Sequence, residues 1–191
     1  MTELLYMAGI VLAFFLSFLL LTKKNKSRAD VVLVVWLAVI GFHLLSFYLM
    51  YTSRYVSYPA IVAGFPLPLA HGPFLYLYTR LQTSSRRFKG KDLLHFAPVL
   101  LSYLMFGSFY FLPLEQQAEV FRQKGAGYET QMIVNTNAIY ISGVVYVAVS
   151  LIALLSYRRK LVHRFSNTDK INFNWLLYLI IWMVAKWTVV L

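Results

Sequence analysis

The feature that most constrains this chain is a series of apolar blocks, each about as long as a helix that crosses a bilayer. Six can be marked: Leu4 to Leu21, Val31 to Tyr51, Ala60 to Leu81, Leu93 to Leu112, Thr136 to Tyr157 and Ile171 to Leu191. A hydrocarbon core roughly 30 Å thick takes about 20 helical residues per crossing. A membrane barrel is excluded, because its strands alternate apolar and polar residues whereas these blocks are continuously apolar. Hydrophobic residues make up 60% of the 191, with a mean hydropathy of +0.64, more than a water-soluble fold can hide. The expected fold class is all-α, a polytopic transmembrane helix bundle forming one domain over residues 1–191, with the lipid bilayer as its first partner.

Charge then orients the bundle. "KKNKSR" carries four basic residues, Arg80 to Lys91 five and Arg158 to Lys170 five, whereas the alternate loops hold only Arg54, Arg122 and Lys124. Basic loops stay on the cytoplasmic side, so the expected protein is a multi-pass protein of the cell inner membrane with its N-terminus outside. The same distribution explains the net charge of +11 without nucleic acid. The first block follows only "MTE", with no cleavage site after it, and reads as a retained helix rather than a signal peptide. With no cysteine, disulfides and thiolate chemistry are excluded. Six crossings from outside would end outside, yet the sequence stops in the apolar run "KWTVVL". The expectation is a probable seven-helix domain whose seventh helix and any cytoplasmic domain are missing from this chain.

The stretch "FPLPLAHGPFLYLYTRL", Phe65 to Leu81, is the anomaly. Proline removes a backbone donor and clashes with the preceding turn, so Pro66, Pro68 and Pro73 do not all fit one regular helix. Phe65 to Gly72 is expected to be irregular or kinked, with helix resuming at Pro73. Backbone broken at membrane depth is tolerated only against protein or a water-filled cavity. Two readings stay open: a structural kink, or a ligand pocket and hinge lined by His43, Ser46, Pro66, Pro68, His71, Gly72, Pro73 and Tyr76. His43 and His71 are ionisable groups at membrane depth, by default functional candidates. Neutral histidines satisfied by a carbonyl or by Ser46, Tyr48 or Tyr76 are the simpler alternative. Two histidines without an acidic neighbour do not make a metal site, and no cofactor is expected.

Elsewhere the readings are plainer. "LEQQAEVFRQK" before "GAG" predicts a short helix with a glycine stop, with Leu114, Ala118 and Phe121 at helical spacing, either a solvated connection or a lid on the outer mouth. Lys186 is expected to snorkel beside Trp187, and Asn135 and Asn137 to cap or border the fifth block. His95 and His163 fall at the cytoplasmic boundary, and "RRFKGKDLLHF" suits a surface of anionic headgroups. Ala138, Ser142 and Gly143 favour bundle packing over dimerisation, which leaves a homodimer open. All seven carboxylates lie in loops or at termini, and there is no "HExxH", phosphate-binding glycine loop or "GxSxG", so an enzyme is not expected.

The segment "PLAHGPFLYLYTRLQTSSRRFKGKDLLHFAPVLL", Pro68 to Leu101, resembles the N-terminal membrane region of bacterial AraC-type transcriptional regulators with seven predicted helices. The matching positions are Gly72, Pro73, Leu75, Tyr76 and Tyr78, then Leu93, Leu94, His95, Phe96 and Pro98. The resemblance implies a sensory domain that answers an unknown small-molecule or peptide ligand and controls a cytoplasmic helix-turn-helix domain, which would bring DNA as a partner of the full-length protein. This chain lacks such a domain, so no nucleic-acid contact is expected of it. The rivals are a small transporter or channel using the broken helix as a substrate site, a lipid-acting membrane enzyme with His71 or His95 as base, and a partner subunit without ligand.

Overall fold

The computed structural model of the protein describes residues 2–54, 57–58, 64–84, 88–164 and 174–190, and among these all regular structure is helical. The helices are α1 (Thr2–Thr22), α2 (Arg28–Tyr51), α3 (Pro68–Thr83), a 3-10 helix (Gly90–Phe96), α4 (Ala97–Met105), α5 (Gly107–Tyr110), α6 (Leu114–Arg122), α7 (Glu129–Arg164) and α8 (Asn174–Val190). Outside the described residues lie the expected start of the third block at Ala60, Arg86 and Arg87 of the basic loop, and the expected start of the sixth block at Ile171. The side chains of His163, Lys186 and Trp187 also fall outside them.

Three of the described helices are long and apolar enough to cross a membrane: Thr2–Thr22, Arg28–Tyr51 and Glu129–Leu161. The third and fourth apolar blocks instead yield shorter pieces. Helix α3 has 16 residues, and the fourth block divides into the end of the 3-10 helix, α4 of 9 residues and the single turn of α5. The division falls at Phe106, which is buried and leaves helical geometry with φ −87° and ψ 9°. Gly107 follows it, a weak helix former, and Pro113 ends the run. The helix of the fifth block, α7, departs in the opposite sense. It begins at Glu129 and continues to Arg164, so Arg158, Arg159 and Lys160, expected in a loop, occupy its last turns, where leucine, lysine and arginine all favour helix.

Local chemistry accounts for the boundaries that the sequence does mark. Ser27 caps α2: its hydroxyl accepts from the Asp30 N–H at 3.1 Å, while the Asp30 carboxylate accepts from the Ser27 N–H at 2.7 Å, a reciprocal box. Lys23 reaches the same carboxylate at 2.6 Å. Past the end of α6, Lys124 and Gly125 take positive φ, 53° and 91°, and the Gly125 N–H returns to the Val120 carbonyl at 2.8 Å, the glycine stop expected there.

Helix α1 packs along α2, where Ser17 donates to the Val34 carbonyl at 3.0 Å. Helix α3 lies between α2 and α7, and α8 closes on α7. The core gathers around Trp36, Phe74, Leu75, Tyr78, Leu154, Leu176 and Ile180. Every residue of α3 from Leu69 to Leu75 is buried, so the proline-bearing helix is the one most completely wrapped by protein. Its interrupted backbone is therefore enclosed by its neighbours.

Candidate functional site

The site is built on the two ends of α3. Before the helix, Gly64 to Leu67 form a turn in which the Leu67 N–H bonds the Gly64 carbonyl and the Ala70 N–H bonds the Leu67 carbonyl, both at 3.0 Å. Helix begins at Pro68, five residues earlier than expected, and Pro73 lies inside it. The physical reason is positional. Pro66 and Pro68 occupy the turn and first helical position, where N–H groups have no intrahelical partner in any case. Only Pro73 removes an internal bond.

Two neighbours hold this turn. Asn135 of α7 donates from Nδ2 to the Phe65 carbonyl at 3.0 Å and accepts the Ser102 hydroxyl on Oδ1 at 2.6 Å. It is 5% exposed and sits in the second turn of its helix, so of the two roles expected for it, cap or border, the cap is corrected. Its amide fills a need set by the broken backbone, a carbonyl without a helical partner. Asn137, on an exposed face, bonds the Ile133 carbonyl of its own helix. From the other side the Phe65 ring packs on Phe106 at 5.5 Å and on Phe121 of α6 at 5.6 Å, with Phe109 and Tyr128 continuing the cluster. The short helix that the sequence offered as connection or lid thus rests directly on the turn, with Ala118 buried and Leu114 exposed.

One turn into α3, His71 is 1% exposed. Its Nδ1 lies 3.2 Å from the Trp36 indole nitrogen and its Nε2 lies 2.8 Å from His43 Nδ1. An indole N–H only donates, so His71 Nδ1 accepts. For neutral rings the His71 proton is then on Nε2, which donates to His43 Nδ1. The two histidines are therefore joined to each other and, through His71, to a tryptophan. Ser46 bonds the Phe42 carbonyl at 3.0 Å and faces Gly64, where a Cβ would meet its oxygen at 2.8 Å.

Tyr76, in the middle of α3, belongs to a second cluster that reaches on to Arg80 in its last turns. Arg80 pairs with Asp92 of the 3-10 helix, and its guanidinium carbon stands 5.6 Å from the Tyr76 ring centre. The Asp92 carboxylate also accepts the Lys89 N–H at 2.8 Å. The Arg80 guanidinium holds this carboxyl below the usual carboxylate range. His95 Nδ1 lies 3.0 Å from the Tyr146 hydroxyl, which donates in turn to the His95 carbonyl at 3.3 Å, so the ring nitrogen is the donor to the phenol. Tyr76 touches both rings, its centre 5.0 Å from His95 and 6.2 Å from Tyr146. Tyr146 also crosses Gly72, where a Cβ would stand 2.7 Å from its ring.

The candidates of the sequence thus divide between two places. His43, Ser46, Pro66, Pro68 and His71 lie around the Phe65 turn, whereas Gly72 and Tyr76 meet Tyr146 and Pro73 lies between the two. Trp36, Arg80, Asp92, Asn135 and Tyr146 were not singled out as site residues. Among the described residues no group of three or more histidine, cysteine or acidic side chains could hold a metal ion. In comparisons with protein-family models, curated proteins and solved structures, nothing matches the chain.

Proposed function

We propose that the chain is the membrane sensory region of a bacterial AraC-type transcriptional regulator, with a seven-helix plan and its N-terminus outside, relaying an outer-face or intramembrane ligand signal to a cytoplasmic helix-turn-helix domain. The carrying observation is that residues from both halves of the resembling segment meet in one clasp, which Tyr146 of α7 completes. Gly72, Tyr76 and Arg80 of α3 engage Tyr146, His95 and Asp92. The opposite end of α3 is held by Asn135 and overlaid by α6. A ligand that displaces the Phe65 turn acts on a buried helix whose other end grips the basic, cytoplasmic side. From Pro68 to Arg80 that relay spans roughly 18 Å at 1.5 Å per residue.

In this reading His43 and His71 line the ligand side, Pro73 is the flexible point, and no residue has a catalytic role. The test has two parts. The coding sequence after Leu191 should contain a further apolar crossing and a basic helix-turn-helix domain. In that full-length protein, Pro73→Ala should change output from the regulated promoter while membrane insertion is retained. Unchanged output, together with substrate flux into proteoliposomes, would move the reading to a small transporter.

A further inference from the structure

A groove of about 550 Å³ opens between the first turns of α2, the middle of α3 and the 3-10 helix, with Val32, Val35, Phe74, Leu77 and Phe96 in its walls and Arg28 at one end. Its size falls within the roughly 300–1,000 Å³ usual for small-molecule sites. Leu77, 1% exposed, and Phe74 form a floor that belongs to the core, whereas Val35 is 47% exposed. The groove therefore reaches inward from the outer surface of the bundle.

Its chemistry is one-sided. Among the described residues Arg28 is the single ionisable one lining it, and it is exposed. The acidic residues on the two elements that flank it are already engaged, Asp30 with Lys23 and Asp92 with Arg80. The groove end thus carries positive charge beside apolar walls, the pattern that recruits an anionic head group with an alkyl tail. From Arg28 to Val35 the walls run roughly 10 Å along α2, enough for part of one alkyl chain.

We propose that this groove holds one acyl chain of an anionic phospholipid of the cytoplasmic leaflet, with its phosphate against Arg28. The proposal rests on bilayer insertion and is independent of the signalling reading. A chain washed from membranes by carbonate would fail on insertion alone, whatever its regulatory role.

The experiment is native mass spectrometry of the whole chain, extracted from membranes, delipidated, and offered equal phosphatidylglycerol and phosphatidylcholine with identical acyl chains. One phosphatidylglycerol should survive activation that strips other lipids, favoured several-fold over phosphatidylcholine. Arg28→Gln should bring that preference close to parity. Val35→Trp, a change at a half-exposed position that fills the groove, should remove the tightly held lipid of either type. Equal retention of the two lipids by the unaltered chain would overturn the proposal. So would a retained lipid indifferent to both substitutions, or a lipid-free dimer in which the groove is covered by a second copy.

Discussion

The Asn135 side chain donates to the Phe65 carbonyl across 70 positions of sequence, at 3.0 Å, while its oxygen takes the Ser102 hydroxyl. One amide thereby ties α7 and α4 to the turn that opens α3. Asn135→Leu removes both bonds and leaves the carbonyl and hydroxyl buried without this partner. The expected loss is about 1–2 kcal/mol, the scale of hydrogen bonds between membrane helices, read as earlier unfolding in detergent. A variant as stable as the parent would mean that the amide does not brace the turn.

The bond between Trp36 and His71 predicts coupling between two positions on different helices. In a double-mutant cycle with Trp36→Phe and His71→Leu, the pair should cost less than the sum of the single changes by about 0.5–1.5 kcal/mol. Strict additivity of the unfolding free energies would remove the bond from the account.

Gly72 and Tyr146 make a steric prediction. Gly72→Ala puts a methyl group 2.7 Å from the Tyr146 ring, and overpacking of this kind costs about 1–3 kcal/mol. In a Tyr146→Ala background the added methyl should be nearly neutral, because the ring it strikes is gone. If the penalty persists there, its origin is the α3 backbone and not this contact.

The Arg80 and Asp92 pair sets a pH dependence. Asp92 titrates below the usual carboxylate range in the folded chain, chiefly through its hydrogen bond to Arg80, so the unfolded state binds its proton first as pH falls. Its contribution is complete above the unfolded pKa of about 3.9 and is lost as pH drops through the lower folded value. Stability followed by thermal unfolding should fall below about pH 4, and Asp92→Asn should flatten that limb while lowering stability at neutral pH. An unaltered acid limb in the variant would assign the fall to other groups.

What could be read from the sequence follows what the physics of single segments records. The first two helices and the glycine stop after α6 depend on residues a few positions apart, and the sequence marks them. The break at Phe106 does not announce itself in hydropathy, which is continuous across it. Asn135 looked like a cap because polar residues near the start of an apolar block usually are. Its partner is a carbonyl exposed by prolines 70 residues away. The histidines were recognisable as unusual, but their mutual bond was not, because helix spacing says nothing of which faces of α2 and α3 meet. Trp36, a residue whose buried N–H needs an acceptor, was the overlooked signal.

Helix α7 has 36 residues and no proline, and at 1.5 Å per residue it extends roughly 54 Å as one stiff rod. Asn135 and Tyr146, eleven positions apart on it, are separated by three turns to within about 20° at 3.6 residues per turn. Both therefore face α3 from the same side of the rod, Asn135 at the turn before it and Tyr146 at Gly72 and Tyr76. Twisting the rod about its axis would draw both fingers away from α3 together, as a cam lifts two followers on a common shaft. A rotation of that rod would therefore reach the Phe65 turn and the first half of α3 together.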